Sequence, residues 1–336
     1  AMILRNSRIY SNHSPLDAGG GLWLEGNASP EIYHSIQNVL IHHNSALAMG
    51  GGVKLFDNYA ELVNCQIKNN SASSGGGIYS WRSYPTIKNT FIENNIVNNG
   101  QGGGLYATLS QTNLINSSIS NNESVDDFGG GIYSIAGNLS IIESLVQGNV
   151  TNTRGGAMHI EGSLYVSNSR ILDNYAGQET GGIRICCGAR AKIYNTTIAG
   201  NGSTNGPADA FHLNGGAGNL IVKNSILWND GVNEISFDES SEPWSLDIEY
   251  STIKNGQDGI QNRGYSYVWG AGNLSDDPQL DTDYSLTSGS AAADAGNPHA
   301  YFYDCDGTRN DMGYQGGCGI NVSTTNLDFG YVAIGD

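Results

Sequence analysis

A tyrosine, two histidines and an arginine recur at one repeating position of this chain: Tyr133 in "GGGIYS", His159 in "GGAMHI", Arg184 in "TGGIRI" and His212 in "ADAFHL". These types supply what β-elimination on a uronate polymer needs: a cation to neutralise the carboxylate, a base for the α-proton and an acid for the leaving oxygen. Glu161 or Asp209 would orient a histidine. Hydrolysis would instead need two close carboxylates, and this position offers few. Upstream the same position holds Trp23, Lys54, Tyr79 and Tyr106, and Trp81 follows Tyr79 on the same face. Aromatic faces stack on pyranose rings, so the row also suits glycan binding without turnover. A third reading is a ring stack that only covers its own sheet.

The elements that position these residues are repeats. A glycine-rich start recurs from Gly19, Gly50, Gly75, Gly102, Gly129, Gly155 and Thr180, degenerating at Ala208 and Gly231. Between these starts lies a second unit, as in "NCQIKNN", "NTFIENN" and "NSSISNN". The period of roughly 25–30 residues is that of a solenoid. Apolar residues alternate within each unit, short β-branched runs are punctuated by Gly and Asn, and no 3.6-residue pattern is sustained. The expected fold is therefore all-β: a single-stranded right-handed parallel β-helix of about nine or ten rungs with a C-terminal cap. Asn6, Asn38, Asn64, Asn89, Asn116, Asn168, Asn195 and Asn224 open the second unit and suit left-handed turns. Asn12, Asn44, Asn70, Asn95, Asn122, Asn149, Asn174 and Asn201 close it and should stack as an amide ladder.

Alternation assigns the faces. Leu22, Val53, Ile78, Leu105, Ile132, Met158, Ile183 and Phe211 point inward, so the next residue in each rung points out. The outward row is then Trp23, Lys54, Tyr79, Tyr106, Tyr133, His159, Arg184 and His212, expected to be solvent-exposed. Gly21, Gly52, Gly77, Gly104, Gly131, Ala157, Gly182 and Ala210 precede the inward row. They would form a trough beside the rings in which a sugar chain could lie.

Composition narrows the partners. The chain has 336 residues, 47 of them glycine, with 15 Lys and Arg against 32 Asp and Glu, a net charge of −17. Such an acidic chain disfavours nucleic acid and anionic membrane surfaces. No apolar run approaches a membrane span, and no signal peptide is recognisable. The opening residues already read as mid-repeat, which suggests a module of a longer chain.

The Gly-Gly-aliphatic starts and the "Ile-x-x-Asn" closes are similar to the repeats of chlamydial polymorphic outer-membrane proteins, with Ile or Val here in place of the usual Phe. More broadly residues 1–250 resemble the right-handed β-helix repeat proteins of bacterial surfaces, in the pectate-lyase-like superfamily. That resemblance implies an extracellular or cell-surface bacterial location and polysaccharide binding along the glycine-strand face. Residues 251–319, with "GNLSDDPQLDTDYSLTSGSAAADAGNP" and "DCDGTRNDMGYQGG", resemble the last rung and capping segment of such proteins. Residues 320–336, with "LDFGYVAIG", look like the first strands of a Hydin-like immunoglobulin-type domain.

In the capping segment Cys305 and Cys318 flank a Gly- and Asp-rich loop and are expected to form a disulfide, stabilising it by roughly 3 kcal/mol. Asp304, Asp306 and Asp311 offer the hard oxygens that calcium takes; a plain acidic turn is the alternative. No other cofactor is expected. Cys186 and Cys187 would be a vicinal disulfide or free thiols. The leading expectation is an adhesin-like module that binds a glycan, a polysaccharide or a host or neighbouring cell-surface molecule. A polysaccharide lyase using Tyr133, His159, Arg184 and His212 is the alternative, and a structural spacer the third class.

Overall fold

The computed structural model describes residues 1–15, 18–26, 33–238 and 244–317. One coil shows how the sequence builds all of them. Its strands are Ile78–Trp81, Tyr84–Lys88, Phe91–Glu93 and Ile96–Val97. Left-handed residues turn the corners: Gly75 (φ 61°), Arg82 (φ 47°), Asn89 (φ 50°) and Asn94 (φ 54°). Alternation sends Ile78, Ile87, Ile92 and Val97 to the interior, where each is fully buried. The next coil repeats the register, Ile67 pairing with Ile92 and Ile92 with Ile119. Identical positions therefore stack into columns, and one continuous aliphatic core runs through the coils.

Among the described residues the stacked strands form three parallel sheets of 19, 10 and 8 strands. The largest joins the glycine strand and the strand after it around a corner. Among the described residues the eight-stranded sheet marks eight complete three-faced coils, and the ten-stranded sheet carries ten rungs on the second face. Beyond Gly202–Ser203 the third face is lost, and the last turns keep only the other two. Among the described residues, no helix is long and apolar enough to cross a membrane.

Both asparagine columns form. In the closing column each Nδ2 donates to the next Oδ1 at 2.9–3.0 Å, from Asn12 through Asn44, Asn70, Asn95, Asn122, Asn149, Asn174 and Asn201 to Asn229. The chain of amides ends on Glu234, whose carboxylate accepts from Asn229 Nδ2 at 2.6 Å and Asn229 N at 2.8 Å. Burial pushes the Glu234 carboxyl up to about 7. The opening column is left-handed, as expected (φ 44–54°). Its amides donate in the opposite direction, from Asn116 back to Asn6.

The expected cap divides in two. Tyr265, Tyr267 and Trp269 close the end against the core. The chain after them folds back along the flank, where Met312 and Ala292 make a second small core on the outer face of Ile226–Trp228. Asn168 and Asn195 donate there to Gly316 O at 2.6 and 2.9 Å. Cys305 is disulfide-bonded; its expected partner Cys318 lies outside the described residues, as does the immunoglobulin-like segment 320–336. The acidic loop makes backbone turns with its own carboxylates. Asp304 accepts from Asp311 N (2.9 Å), Asp306 from Thr308 N (2.9 Å) and Asp311 from Asp294 N (2.7 Å). Each carboxylate caps its own stretch of backbone, and the three do not converge on a shared point.

Candidate functional site

The outward row lies outside the core, as alternation requires: Ile78, Leu105 and Ile132 belong to the aliphatic cluster and Tyr79, Tyr106 and Tyr133 do not. Outward is nevertheless not exposed, and this corrects the expectation. Tyr79 and Tyr133 are only 7% and 5% accessible, Lys54 and Arg184 6%, His212 5% and His159 0%; Tyr106 is half-buried, and Trp23 alone in the row is open, at 45%. Rings one rung apart cover one another, with centroids 4.9 Å apart for Tyr79–Tyr106, 5.1 Å for Tyr106–Tyr133 and 5.0 Å for Tyr133–His159. Phe128, from the segment that enters the glycine start, stacks on His159 at 4.7 Å. Lys54 Nζ lies 4.1 Å from the Trp23 ring centroid.

The glycine trough is also corrected. At Gly77 an added Cβ would fall 2.9 Å from Ile92 Cγ2 and 3.0 Å from Asn95 Nδ2. This column points inward and makes room for the amide ladder, not for a ligand. The first glycine of each start is needed for its left-handed turn. At Gly75 a Cβ would sit 2.5 Å from Ile78 O.

The lyase candidates do come together, as a closed network. Tyr133 Oη donates to Glu161 Oε1 at 3.0 Å, and His159 Nε2 lies 3.0 Å from the same oxygen. Arg184 Nη1 approaches His159 Nε2 at 3.1 Å, and Arg184 Nε donates to Glu179 at 2.5 Å. Glu179 also pairs with Arg154 (2.9 Å) and stands 3.7 Å from His212 Nε2, while His212 Nδ1 contacts Ser236 Oγ at 2.8 Å. Burial lowers both histidines and so favours their neutral form. The bond to His159 holds the Glu161 carboxyl below its usual range, and burial with the Glu161 charge drives the Tyr133 hydroxyl up. Glu161 does orient a histidine, whereas Asp209 instead meets Ser203 at 3.0 Å. The hub, Glu179, was missed, because a lone glutamate ahead of "TGGIRI" carries no periodic signal. Arg184 is neutralised by it and His159 is sealed. Cys186 and Cys187 are free thiols. Cys186 Sγ lies 3.7 Å from His159 Nε2, the same nitrogen that faces Glu161. A nucleophile–base–carboxylate relay needs opposite ring nitrogens, so none forms.

The open feature is a groove along the corner between the two strands of the largest sheet. Tyr33, Tyr59 and Tyr84 share one register position after that corner, and Gln111, Asn138 and Ser163 continue the column. Tyr59 and Tyr84 stack at 4.4 Å with planes 6° apart. This leaves the other face of Tyr84 as an end wall, with Ala136, Gly137 and Gly162 as a floor almost without side chains. The floor is tight. A Cβ on Gly137 would strike Ser110 O at 2.2 Å, and one on Gly162 would strike Gly137 O at 2.4 Å. The corner drops one residue between Ile135–Asn138 and Glu161–Ser163. Across the corner Trp81 stacks on Phe56 at 4.3 Å and carries the Arg82 guanidinium at 4.6 Å.

Comparison with protein-family models, with curated proteins and with solved structures finds no match to this chain.

Proposed function

We propose that this protein is a non-catalytic binding module for an extended glycan, an adhesin-like role, with the corner groove as its principal site. The observation that carries the reading is the groove itself. It has one aromatic face, Tyr84; a row of amide and hydroxyl side chains, Gln111, Asn138 and Ser163; and a floor of small residues. Stacking on the ring and hydrogen bonds to hydroxyls are the two contacts a pyranose chain offers. Rungs about 4.8 Å apart present one polar side chain for roughly every sugar unit. Trp23 and Trp81 remain contacts for a longer chain. The repeats' resemblance to β-helix proteins of bacterial surfaces supports an extracellular or cell-surface setting.

The lyase reading stands second, because Arg184 and His159 reach a substrate only if the Phe128 cover opens and Glu179 releases the guanidinium. The test is a glycan array followed by titration calorimetry on the strongest ligand, with ultraviolet absorbance for unsaturated ends on a uronate panel. Binding without new absorbance, weakened by Tyr84→Ala and blocked by Ser163→Trp, is expected. Binding indifferent to both variants would remove the groove, and unsaturated products lost on His159→Ala would establish the lyase.

A further inference from the structure

Beneath the glycine-strand face, apart from the groove, three different ligand atoms converge. His159 Nε2, Glu161 Oε1 and Cys186 Sγ all lie within 4.8 Å of one another, the one such group among the described residues. Their separations match those of a small cation site. With metal–nitrogen and metal–oxygen bonds near ~2.1 Å and a metal–sulfur bond near ~2.3 Å, a tetrahedral centre sets its ligand atoms about 3.4–3.6 Å apart. Here Nε2–Oε1 is 3.0 Å, Nε2–Sγ is 3.7 Å and Oε1 lies within 4.8 Å of Sγ, so modest movements of the Glu161 and Cys186 side chains would seat the ion.

The metal-free arrangement leaves His159 with contradictory demands. Its Nε2 faces a carboxylate that wants a proton and an arginine that offers one. If Nε2 carries the proton, Arg184 Nη1–H points at an N–H. If it does not, Glu161 Oε1 points at a lone pair. The other nitrogen, Nδ1, is buried without a partner, so neither tautomer satisfies the ring. A cation is the one occupant to which Nε2, Oε1 and Sγ can all offer lone pairs. We infer that His159, Glu161 and Cys186 form a zinc site that ties two adjacent coils together at the corner.

Nitrogen, oxygen and sulfur donors in this combination select a borderline ion such as Zn²⁺ over calcium or magnesium. On binding, the Cys186 S–H bond breaks, its proton passes to water, and the thiolate electron pair forms the metal–sulfur bond. The groups around the site accommodate the charge. Thiolate and Glu161 supply two negative charges, the Arg184 guanidinium stands 3.1 Å from His159 Nε2, and Glu179 holds the Arg184 and Arg154 guanidinium groups. Glu161 is partly accessible, with 20% of its side chain open, and gives the ion a way in.

The test uses the reduced, chelator-stripped full chain titrated with cobalt(II), whose spectrum reports geometry and thiolate ligation. One cobalt per chain is expected, with the intense visible bands of tetrahedral coordination and a thiolate charge-transfer band, both bleached by one equivalent of zinc. Cys186→Ala should abolish the charge-transfer band and Cys187→Ala should leave it. Glu161→Gln, isosteric and at the partly accessible edge of the site, should lower cobalt affinity by ~10-fold or more, as even loss of outer-shell partners does. A wild-type spectrum identical to free cobalt, a band that follows Cys187, or a Glu161→Gln affinity unchanged from wild type would overturn the site.

Discussion

Asn122→Ala removes four buried hydrogen bonds at once. Asn122 Oδ1 accepts from Asn95 N and Asn95 Nδ2, both at 3.0 Å, and its Nδ2 donates to Ile92 O at 2.9 Å and Asn149 Oδ1 at 3.0 Å. The partners fare unequally. Asn95 Nδ2 keeps Ile67 O, and Asn149 Oδ1 keeps Asn122 N. The backbone N–H of Asn95 loses its acceptor and is left orphaned in the buried interior. One orphaned donor at ~1–3 kcal/mol and three weakened bonds at ~0.5–1.5 kcal/mol each give a loss of roughly 2.5–7.5 kcal/mol. Asn122→Asp keeps both acceptor roles but turns a carboxylate oxygen towards Ile92 O and Asn149 Oδ1, so it should cost at least as much at neutral pH. Urea unfolding followed by circular dichroism measures both. Asn89→Gly is the control. It suits the left-handed turn (φ 50°) and removes an amide from the accessible ladder, so it should cost less than ~1 kcal/mol. A loss below about 1 kcal/mol for Asn122→Ala would mean that the closing column does not hold the coils together.

Further outcomes follow from single residues. The Glu234 carboxyl is raised from 4.5 to about 7 by burial, so the folded state holds its proton more tightly than the unfolded chain does. This group therefore costs stability above pH 7, by roughly 3 kcal/mol, and the cost disappears as pH falls towards 4.5. Glu234→Gln should lose one bond to Asn229 at every pH and flatten that part of the profile; an unchanged slope would place the proton elsewhere. Iodoacetamide should label Cys187 in the folded protein and spare Cys65 and Cys186, which are buried and whose thiols burial pushes up; equal labelling of Cys186 in intact protein would contradict its placement. Gly77→Ala should cost roughly 1–3 kcal/mol, read by thermal unfolding, because its Cβ would strike Gly104 O at 2.6 Å; a neutral effect would show that the glycine column does not face the ladder. Tyr84→Ala should weaken glycan binding by roughly 1 kcal/mol, the scale of one aromatic contact.

Much of this architecture follows from the sequence alone, because a stacked parallel solenoid turns sequence period into spatial columns. The repeat names the residues of each column, and the two-residue pleat separates Ile78 from Tyr79 and Leu105 from Tyr106. Asparagine at fixed offsets predicts both the left-handed corners and the amide ladder. Period says nothing, however, about what covers a column from outside. Phe128 over His159, Glu179 beneath Arg184 and the flank segment against Asn168 and Asn195 all come from outside the strand pattern, by turns whose paths no alternation encodes. The closed state of the outward row was therefore invisible in a rule that equates outward with exposed. The corner groove was equally hidden, since Gln111, Asn138 and Ser163 are unremarkable polar residues until register aligns them with Tyr84. The convergence of His159, Glu161 and Cys186 needs the stacking of the Met158–Ser167 strand on Ile183–Cys186. Local pattern determines which face a residue takes, and only the packed chain determines what meets it there.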